Sequence, residues 1–218
     1  MPDEGAYDYV IAGGGSGGSV LAGRLSEDPS VTVLLLEAGR SDRHPFIHVP
    51  AGFPKLKGGP YQWDYASVPQ KHSNGRRIPL AQGRVLGGGG SINSQVFTRG
   101  VAEDYDSWVT DYGCEGWSGD EVSKYFVRSE SNSRLSAPHH GTLGPLGVSD
   151  LLRPHKLSAA FVKAGQEFGL PYNSDFNGAE QYGVGFYQTT TKNGRRCSAA
   201  VAYLKPARKR SNLTVRAN

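Results

Sequence analysis

The stretch that decides the fold is DYVIAGGGSGGSVLAGRL, Asp8–Leu25, followed one crossover later by VTVLLLEAG, Val31–Gly39. A short apolar run, a glycine-only turn, a helix-patterned segment and a second apolar run make a strand–turn–helix–strand unit. Val33–Leu36 is unbroken apolar sequence, as expected of a parallel strand covered on both faces. The helix between the runs carries Val20, Leu21, Ala22 and Leu25 on one side and Arg24, Glu27 and Asp28 on the other, and Asp28-Pro29 ends it. Gly13, Gly15 and Gly18 satisfy GxGxxG. Gly13 permits the tight turn out of the strand, Gly15 lets backbone approach a diphosphate, and Gly18 allows close helix–strand packing. The free N–H groups of the helix start face the anion. Glu37 closes the second run, where a carboxylate accepts hydrogen bonds from ribose hydroxyls and repels a 2′-phosphate. A lone GxGxxG is weak. Strand, helix, second strand and acid together point to a dinucleotide cradle.

Composition sets the outer bounds. At 218 residues the chain can hold one sizeable core or two small ones. A mean hydropathy of −0.46 and 37% hydrophobic residues are those of a globular protein. Glycine is the outlier, with 30 residues gathered in two clusters and no periodic repeat, which excludes collagen-like and low-complexity readings. The net charge of +4 is mild, and the basic residues are scattered apart from Lys205–Arg210, KPARKR. That cluster reads as a solvated loop before the final strand. Without a nucleic-acid-binding spacing beside it, no nucleic-acid partner is expected, and a membrane contact is at most peripheral. Cys114 and Cys197 lie far apart with no CxxC, so neither a disulfide framework nor a metal site is expected. Arg195 and Arg196 precede Cys197 and favour a thiolate, but a structural thiol is the plainer reading. The N-terminus lacks an apolar signal core and no run reaches transmembrane length, which points to a cytoplasmic protein.

Between the glycine clusters, residues 41–71 read as an irregular excursion rich in Pro, Gly and aromatics, Trp63 and Tyr65 among them. Helices are expected at 102–108, 118–129, 157–168 and 199–204, with Ser118 an N-cap and Glu121 at its N3 position. In 157–168, Leu157, Ala160, Phe161, Ala164 and Phe168 recur at helical spacing. Residues 132–147 read as a loop, 183–191 as a loosely alternating strand and 213–215 as a strand.

The second glycine segment is GRVLGGGGSINSQVFTRG, Gly83–Gly100. Four consecutive glycines are expected to form neither helix nor stable strand; they let backbone lie flush against something flat or anionic. Asn93 adds an amide that donates and accepts, and Arg84 a fixed cation. Taken alone, a flexible loop and a ligand contact explain it equally well.

GRVLGGGGSIN with its following F and RG resembles the first signature of the glucose–methanol–choline (GMC) flavin oxidoreductases. YQWDYASVPQ and NGRRIPLAQ before it are similar to that family, as are DYDSWVTDYGCEGWSGDEVSKYF, HGTLGPLGVSD and NGRRCSAAVAYLKPARKRSNLTV after it. The resemblance covers nearly the whole chain. It implies an α/β fold, a Rossmann-like FAD-binding domain with a parallel sheet and βαβ unit, incomplete, plus part of an α+β substrate domain. Residues 7–218 would be the family's N-terminal FAD-binding region, truncated. Within it 1–40, 80–130 and 192–218 would form the FAD-binding part, and 145–191 would begin the substrate-domain part.

By the same resemblance Gly13, Gly15, Ser16 and Gly18 would hold the FAD pyrophosphate, and Glu37 with Ala38 the adenosine ribose. Arg84, Gly87, Gly88 and Ser91 would follow the diphosphate and ribityl chain. Asn93, Ser94, Gln95 and Val96 would pass close to the isoalloxazine ring, where N–H donors stabilise its reduced form. Some members attach FAD through a histidine in this motif; Ile92 stands there, so the FAD is expected to be non-covalent. Gly89–Gly90 replace residues that often carry hydroxyls.

The resemblance implies oxidation of an alcohol to an aldehyde or ketone by hydride transfer to flavin N5, with oxygen or a quinone as acceptor, in the manner of the choline-dehydrogenase-like members. The family's proton-abstracting C-terminal histidine pair has no counterpart in this sequence, so no catalytic residue is assigned. His44, His48, His72, His139, His140 and His155 match no catalytic motif, and His139 and His155 read as loop or helix-start residues. The chain is therefore expected to supply the FAD cradle only, to bind FAD poorly alone, and to need a C-terminal companion chain. A lyase or decarboxylase on the same fold, and a non-catalytic remnant or split subunit, are the alternatives. A nicotinamide dehydrogenase leaves the second glycine segment unexplained.

Overall fold

A computed structural model of the chain describes residues 5–218; residues 1–4, the start of the expected 1–40 segment, lie outside the described residues. In chain order the strands are β1 (Tyr9–Ala12), β2 (Val33–Glu37), β3 (Gln62–Ala66), β4 (Pro79–Gly83), β5 (Glu130–Asn132), β6 (Leu146–Val148), β7 (Thr191–Lys192), β8 (Arg195–Arg196) and β9 (Leu213–Ala217). The helices are α1 (Ser16–Leu25), α2 (Pro45–His48), α3 (Ala102–Tyr112), α4 (Gly119–Ser129), α5 (Lys156–Glu167) and α6 (Lys205–Ala207). None is long and apolar enough to cross a membrane. The described residues form two compact units, one running to Gln95 and resuming at Gly194–Asn218, the other Val96–Asn193.

The first unit is built on the expected βαβ motif. β1 pairs with β2 in parallel register, Tyr9 opposite Val33, and β2 pairs in parallel with β9, Val33 opposite Leu213. β2 is thus the central strand, and Val33 and Leu35 are fully buried. The strand starts are bracketed: the Asp8 N–H donates to Thr32 Oγ1, and Thr32 N–H and hydroxyl donate to Asp8 Oδ2 at 2.7 Å. The core brings Ile11, Ala22, Val33 and Leu35 together with Leu86, Ala200, Leu204 and Ala207. β1 is less covered than β2: Val10 is 60% exposed. Among the described residues β1 has a strand on one side only and is the edge strand of this sheet.

Three local expectations are corrected in this unit. The 41–71 excursion contains α2, a 3₁₀ helix at Pro50–Leu56, and β3, which pairs antiparallel with β4. Gly88–Ser91, expected to be non-helical, form one 3₁₀ turn. Gly87 and Gly88 at φ +84° and +53° lead the chain into it, so glycine starts the turn rather than preventing it. Lys205–Arg210 is not a solvated loop. Ala200–Leu204 form a π-helical turn that runs into α6, Ala207 is fully buried, and Arg210 donates to Gly23 O and Ser26 Oγ at the end of α1.

In the second unit α3 packs on α4 through the rings of Tyr105, Trp108, Trp117 and Phe126. Residues 96–130, expected with the FAD-binding part, group by contacts with 145–191. The Ser118 N-cap and its Glu121 form a reciprocal capping box. The 132–147 loop closes into β6, which pairs in parallel with β5. The 183–191 strand does not form: Val184 and Thr189 make only isolated bridges, to Tyr172, Ser149 and Val96. α5 forms as expected, yet Leu157, Phe161 and Phe168 are mostly exposed and only Val162 of the helix is buried.

Candidate functional site

The first glycine segment forms a turn that leads from β1 into the N-terminus of α1. Gly13 sits at φ +101°, which only glycine adopts without strain, and Gly15 is the N-cap of α1. A Cβ on Gly18 would lie 1.9 Å from Gly13 O, so helix and turn touch backbone to backbone. A Cβ on Gly15 would meet nothing within 4 Å; its missing side chain faces open space. The first backbone donor of α1 with an acceptor in this turn is Ser19, bonded to Gly15 O at 2.9 Å. The N–H groups before it are left for a ligand, at the positive end of the helix dipole.

The second glycine segment lies directly against the first. The Gly87 N–H donates to Gly14 O at 2.7 Å, and a Cβ on Gly88 would lie 2.8 Å from Gly15 Cα. Its entry is tied to the end of β2: Leu86 N–H donates to Arg40 O, and a Cβ on Gly39 would lie 2.0 Å from the Arg84 carbonyl carbon. Two glycine runs far apart in sequence thus make one continuous backbone surface.

Above that surface is a cleft of about 890 Å³. Of the expected residues, Gly13, Gly15, Ser16, Gly18, Glu37, Ala38 and Gly88 line it. Glu37 is held by the turn itself, accepting from Gly14 N–H and Gly39 N–H at 2.7 Å each. Other expected residues stand elsewhere. Arg84 lies over the Trp63 ring, 4.6 Å from its centroid, with Nε donating to Ala38 O. Ser91 is fully buried and donates to Leu86 O, so it braces the 3₁₀ turn from within. Asn93 and Ser94 are exposed, whereas Gln95 is buried at φ +69°. Val96 opens the second unit and is 47% exposed.

The cleft has walls that motif reading missed: Trp63, Gln82, Gly83, Gly89, Arg216 and Asn218. Trp63 and Tyr65 stack at 4° with centroids 5.6 Å apart, as i and i+2 neighbours on one strand face do. The alternation in QWDYA was the available signal for that strand. Arg216 and Asn218 reach the cleft because β9 runs beside β2, a pairing no local pattern encodes.

Among the described residues no histidine lines the cleft. The ring nitrogens of His44 and His155 cap α2 and α5, the latter as expected of a helix-start residue. His140 is buried in the second unit between Glu130 and Asp175. The arrangement can hold an anionic, ribose-bearing ligand along backbone N–H groups, without an imidazole base beside it.

A parallel sheet with a glycine turn, a helix N-terminus and a carboxylate at the second strand end defines a dinucleotide-binding α/β domain. The chain belongs to the GMC oxidoreductase family, whose N-terminal profile matches residues 7–218. It is 46% identical over 211 residues to an alcohol dehydrogenase [acceptor] of Pseudomonas putida, covering 96% of this chain and 38% of that protein. It is 45% identical over 207 residues to an oxygen-dependent choline dehydrogenase of Sinorhizobium fredii, with 94% and 38% covered. Among solved structures, pyridoxine 4-oxidase from Mesorbium loti matches with a TM-score of 0.92 at 39% identity, over 97% of this chain and 42% of that one. The chain therefore spans about 40% of the length of these relatives.

Proposed function

We propose that this chain is the FAD-holding part of an oxidoreductase that converts an alcohol to an aldehyde or ketone. The observation that carries the reading is the joined backbone surface of the two glycine segments, with Gly87 N–H on Gly14 O, under an 890 Å³ cleft. Its chemistry fits the cofactor. Gly15 leaves open space where any other residue would project a Cβ, so a diphosphate can meet the α1 amides. Glu37 keeps lone pairs for ribose hydroxyls while its two oxygens hold Gly14 and Gly39. Trp63 supplies a flat apolar wall on one side and Arg216 a cation. Ile92 is buried and carries no nucleophile, which supports non-covalent attachment.

FAD, when bound, supplies the hydride acceptor for a CH–OH donor. The residues of this chain bind and orient it, and Gly83–Gly89 exclude water from one side of the cleft. No histidine among the described residues lines the cleft, so the part of the relatives' length that this sequence does not span, in the same chain or as a companion polypeptide, would supply the group that removes the hydroxyl proton. Oxygen or a quinone is the acceptor we favour; the choline dehydrogenase relative is named as oxygen-dependent.

The test is a titration of FAD by flavin fluorescence, with the chain alone and with that companion. Weak binding alone and tight, stoichiometric binding with the companion is the expected result. Tight monomeric binding by the chain alone would remove the need for a companion. Absence of binding in both arms would overturn the FAD assignment.

A further inference from the structure

Arg196 is 1% exposed, and no other arginine or lysine among the described residues is as deeply buried. All three nitrogens of its guanidinium donate hydrogen bonds. Nε donates to Ile47 O at 2.7 Å, one terminal nitrogen to Gly90 O at 3.0 Å and Asn93 Oδ1 at 2.7 Å, and the other to Asn93 O at 2.7 Å. All four acceptors are neutral oxygens, and among the described residues no carboxylate pairs with it. Burial pushes its pKa down to about 10, so the group is a cation at neutral pH. Burying an ion without a counter-charge is strongly unfavourable, and hydrogen bonds to neutral oxygens offset only part of that. A purely structural role is met more readily by an apolar side chain.

The groups it holds belong to the second glycine segment. Gly89 lines the cleft, and a Cβ on Gly90 would lie 3.1 Å from Ser16 Oγ at the start of α1. Asn93 Oδ1 also accepts the Gln95 N–H at 3.1 Å, and Gln95 stands at φ +69°. Arg196 therefore fixes the Asn93 side chain that turns the backbone into this left-handed position. Asn93 and Ser94 are exposed on the outer side of the segment while Arg196 is buried behind it.

We infer that Arg196 is the positioning residue of the second glycine segment, holding Gly90–Gln95 in shape and setting an uncompensated positive charge behind it for the anionic part of a bound dinucleotide. The identity of that anion rests on the FAD reading above; the grip on the segment does not. The charge and the anion are linked, so each strengthens the hold of the other.

The experiment uses the whole chain as wild type, Arg196→Met and Arg196→Lys. Hydrogen exchange of residues 88–95 is measured without ligand, and FAD and ADP are titrated at two ionic strengths. Arg196→Met is expected to speed exchange in 88–95 and to weaken FAD binding, each about tenfold. Arg196→Lys keeps the charge without the planar fork, so exchange stays fast while most of the affinity returns. A packing role alone does not produce that split. Loss of ADP affinity in step with FAD places the effect on the diphosphate and supports the proposal; loss of FAD affinity with ADP unchanged would overturn the role of the charge, because ADP carries the same diphosphate. It is overturned if Arg196→Met stays within about twofold of wild type in both measurements, or if Lys and Met lose equal affinity. Should Arg196→Met not fold, Arg196→Gln against Arg196→Lys carries the same comparison. A wild type that binds neither ligand, alone or with the companion, with 88–95 still loosened by substitution, would defeat the FAD reading and leave the positioning role standing.

Discussion

Glu37 Oε2 accepts the Gly14 N–H at 2.7 Å, tying the end of β2 to the first glycine turn across 23 residues of sequence. Its other oxygen takes the Gly39 N–H at 2.7 Å, so one carboxylate satisfies the backbone on both sides of the β2 terminus. The side chain expected to meet a ribose is also part of the turn's own scaffold.

Glu37→Gln tests that double duty. The amide keeps one acceptor and points its NH₂ at an N–H donor, leaving a backbone group unpaired. The expected loss is about 1–3 kcal/mol in the absence of any ligand, read by denaturant unfolding. Unchanged stability with weakened FAD binding would show that Glu37 serves the ligand alone.

Gly15 and Gly18 are separable although they belong to one motif. An alanine Cβ at Gly18 would sit 1.9 Å from Gly13 O, which forces helix and turn apart. At Gly15 it meets nothing, and φ −67° suits any residue. Gly18→Ala should therefore lower stability by more than about 2 kcal/mol and lose FAD binding with it. Gly15→Ala should keep the melting temperature and weaken FAD about tenfold, by blocking the diphosphate. If Gly15→Ala binds FAD normally, the open space at that position is not where the diphosphate lies.

The first βαβ unit was legible because every device in it is local: the glycine spacing, the helix period and the terminal carboxylate lie within residues 8–39. The helices expected at 102–108 and 118–129 were legible for the same reason, the second through its Ser118–Glu121 box, although the first runs on to Tyr112. Trp63, Arg216 and Asn218 were not, because they reach the cleft through strand pairings made across the chain. The run of four glycines misled in the other direction. Composition forbids a long helix there but not a single 3₁₀ turn entered through two left-handed residues. Arg196 lies in the NGRRCSAA stretch, but its role is visible only once Gly90 and Asn93 are seen to close around it.

The α4 capping box makes a pH prediction. Hydrogen bonds from the Ser118 hydroxyl and backbone N–H hold the Glu121 carboxyl below the usual glutamate range. A carboxylate whose folded pKa is depressed stabilises fully above its unfolded pKa, and that contribution disappears as pH falls through the folded value. Wild type should therefore be more stable than Glu121→Gln at pH 7, with the gap unchanged down to about pH 5 and closing below the unfolded value. Melting temperatures between neutral pH and about pH 3 decide it. A gap that persists at the acid end would mean the box works through something other than the charge.

The second unit contains a buried polar array centred on Glu130. His140 Nδ1 lies 3.0 Å from Glu130 Oε1 and Nε2 lies 3.0 Å from Asp175 Oδ2, while Arg99 pairs with the other Glu130 oxygen. Burial lowers the Arg99 pKa, and the Glu130 carboxylate opposes that shift. Asn132 Nδ2 donates to both Glu130 Oε1 and Gln188 Oε1, extending the array across the unit. Glu130 is fully buried, so replacing it leaves the Arg99 cation without its carboxylate, and removing His140 takes away one of the groups hydrogen-bonded to it. Glu130→Gln and His140→Ala should each cost about 3–5 kcal/mol, and the double variant less than their sum because both break the same array. Urea unfolding of the three variants measures the coupling. Additive losses would show that the Glu130–His140 contact, for all its burial, carries no interaction energy of its own.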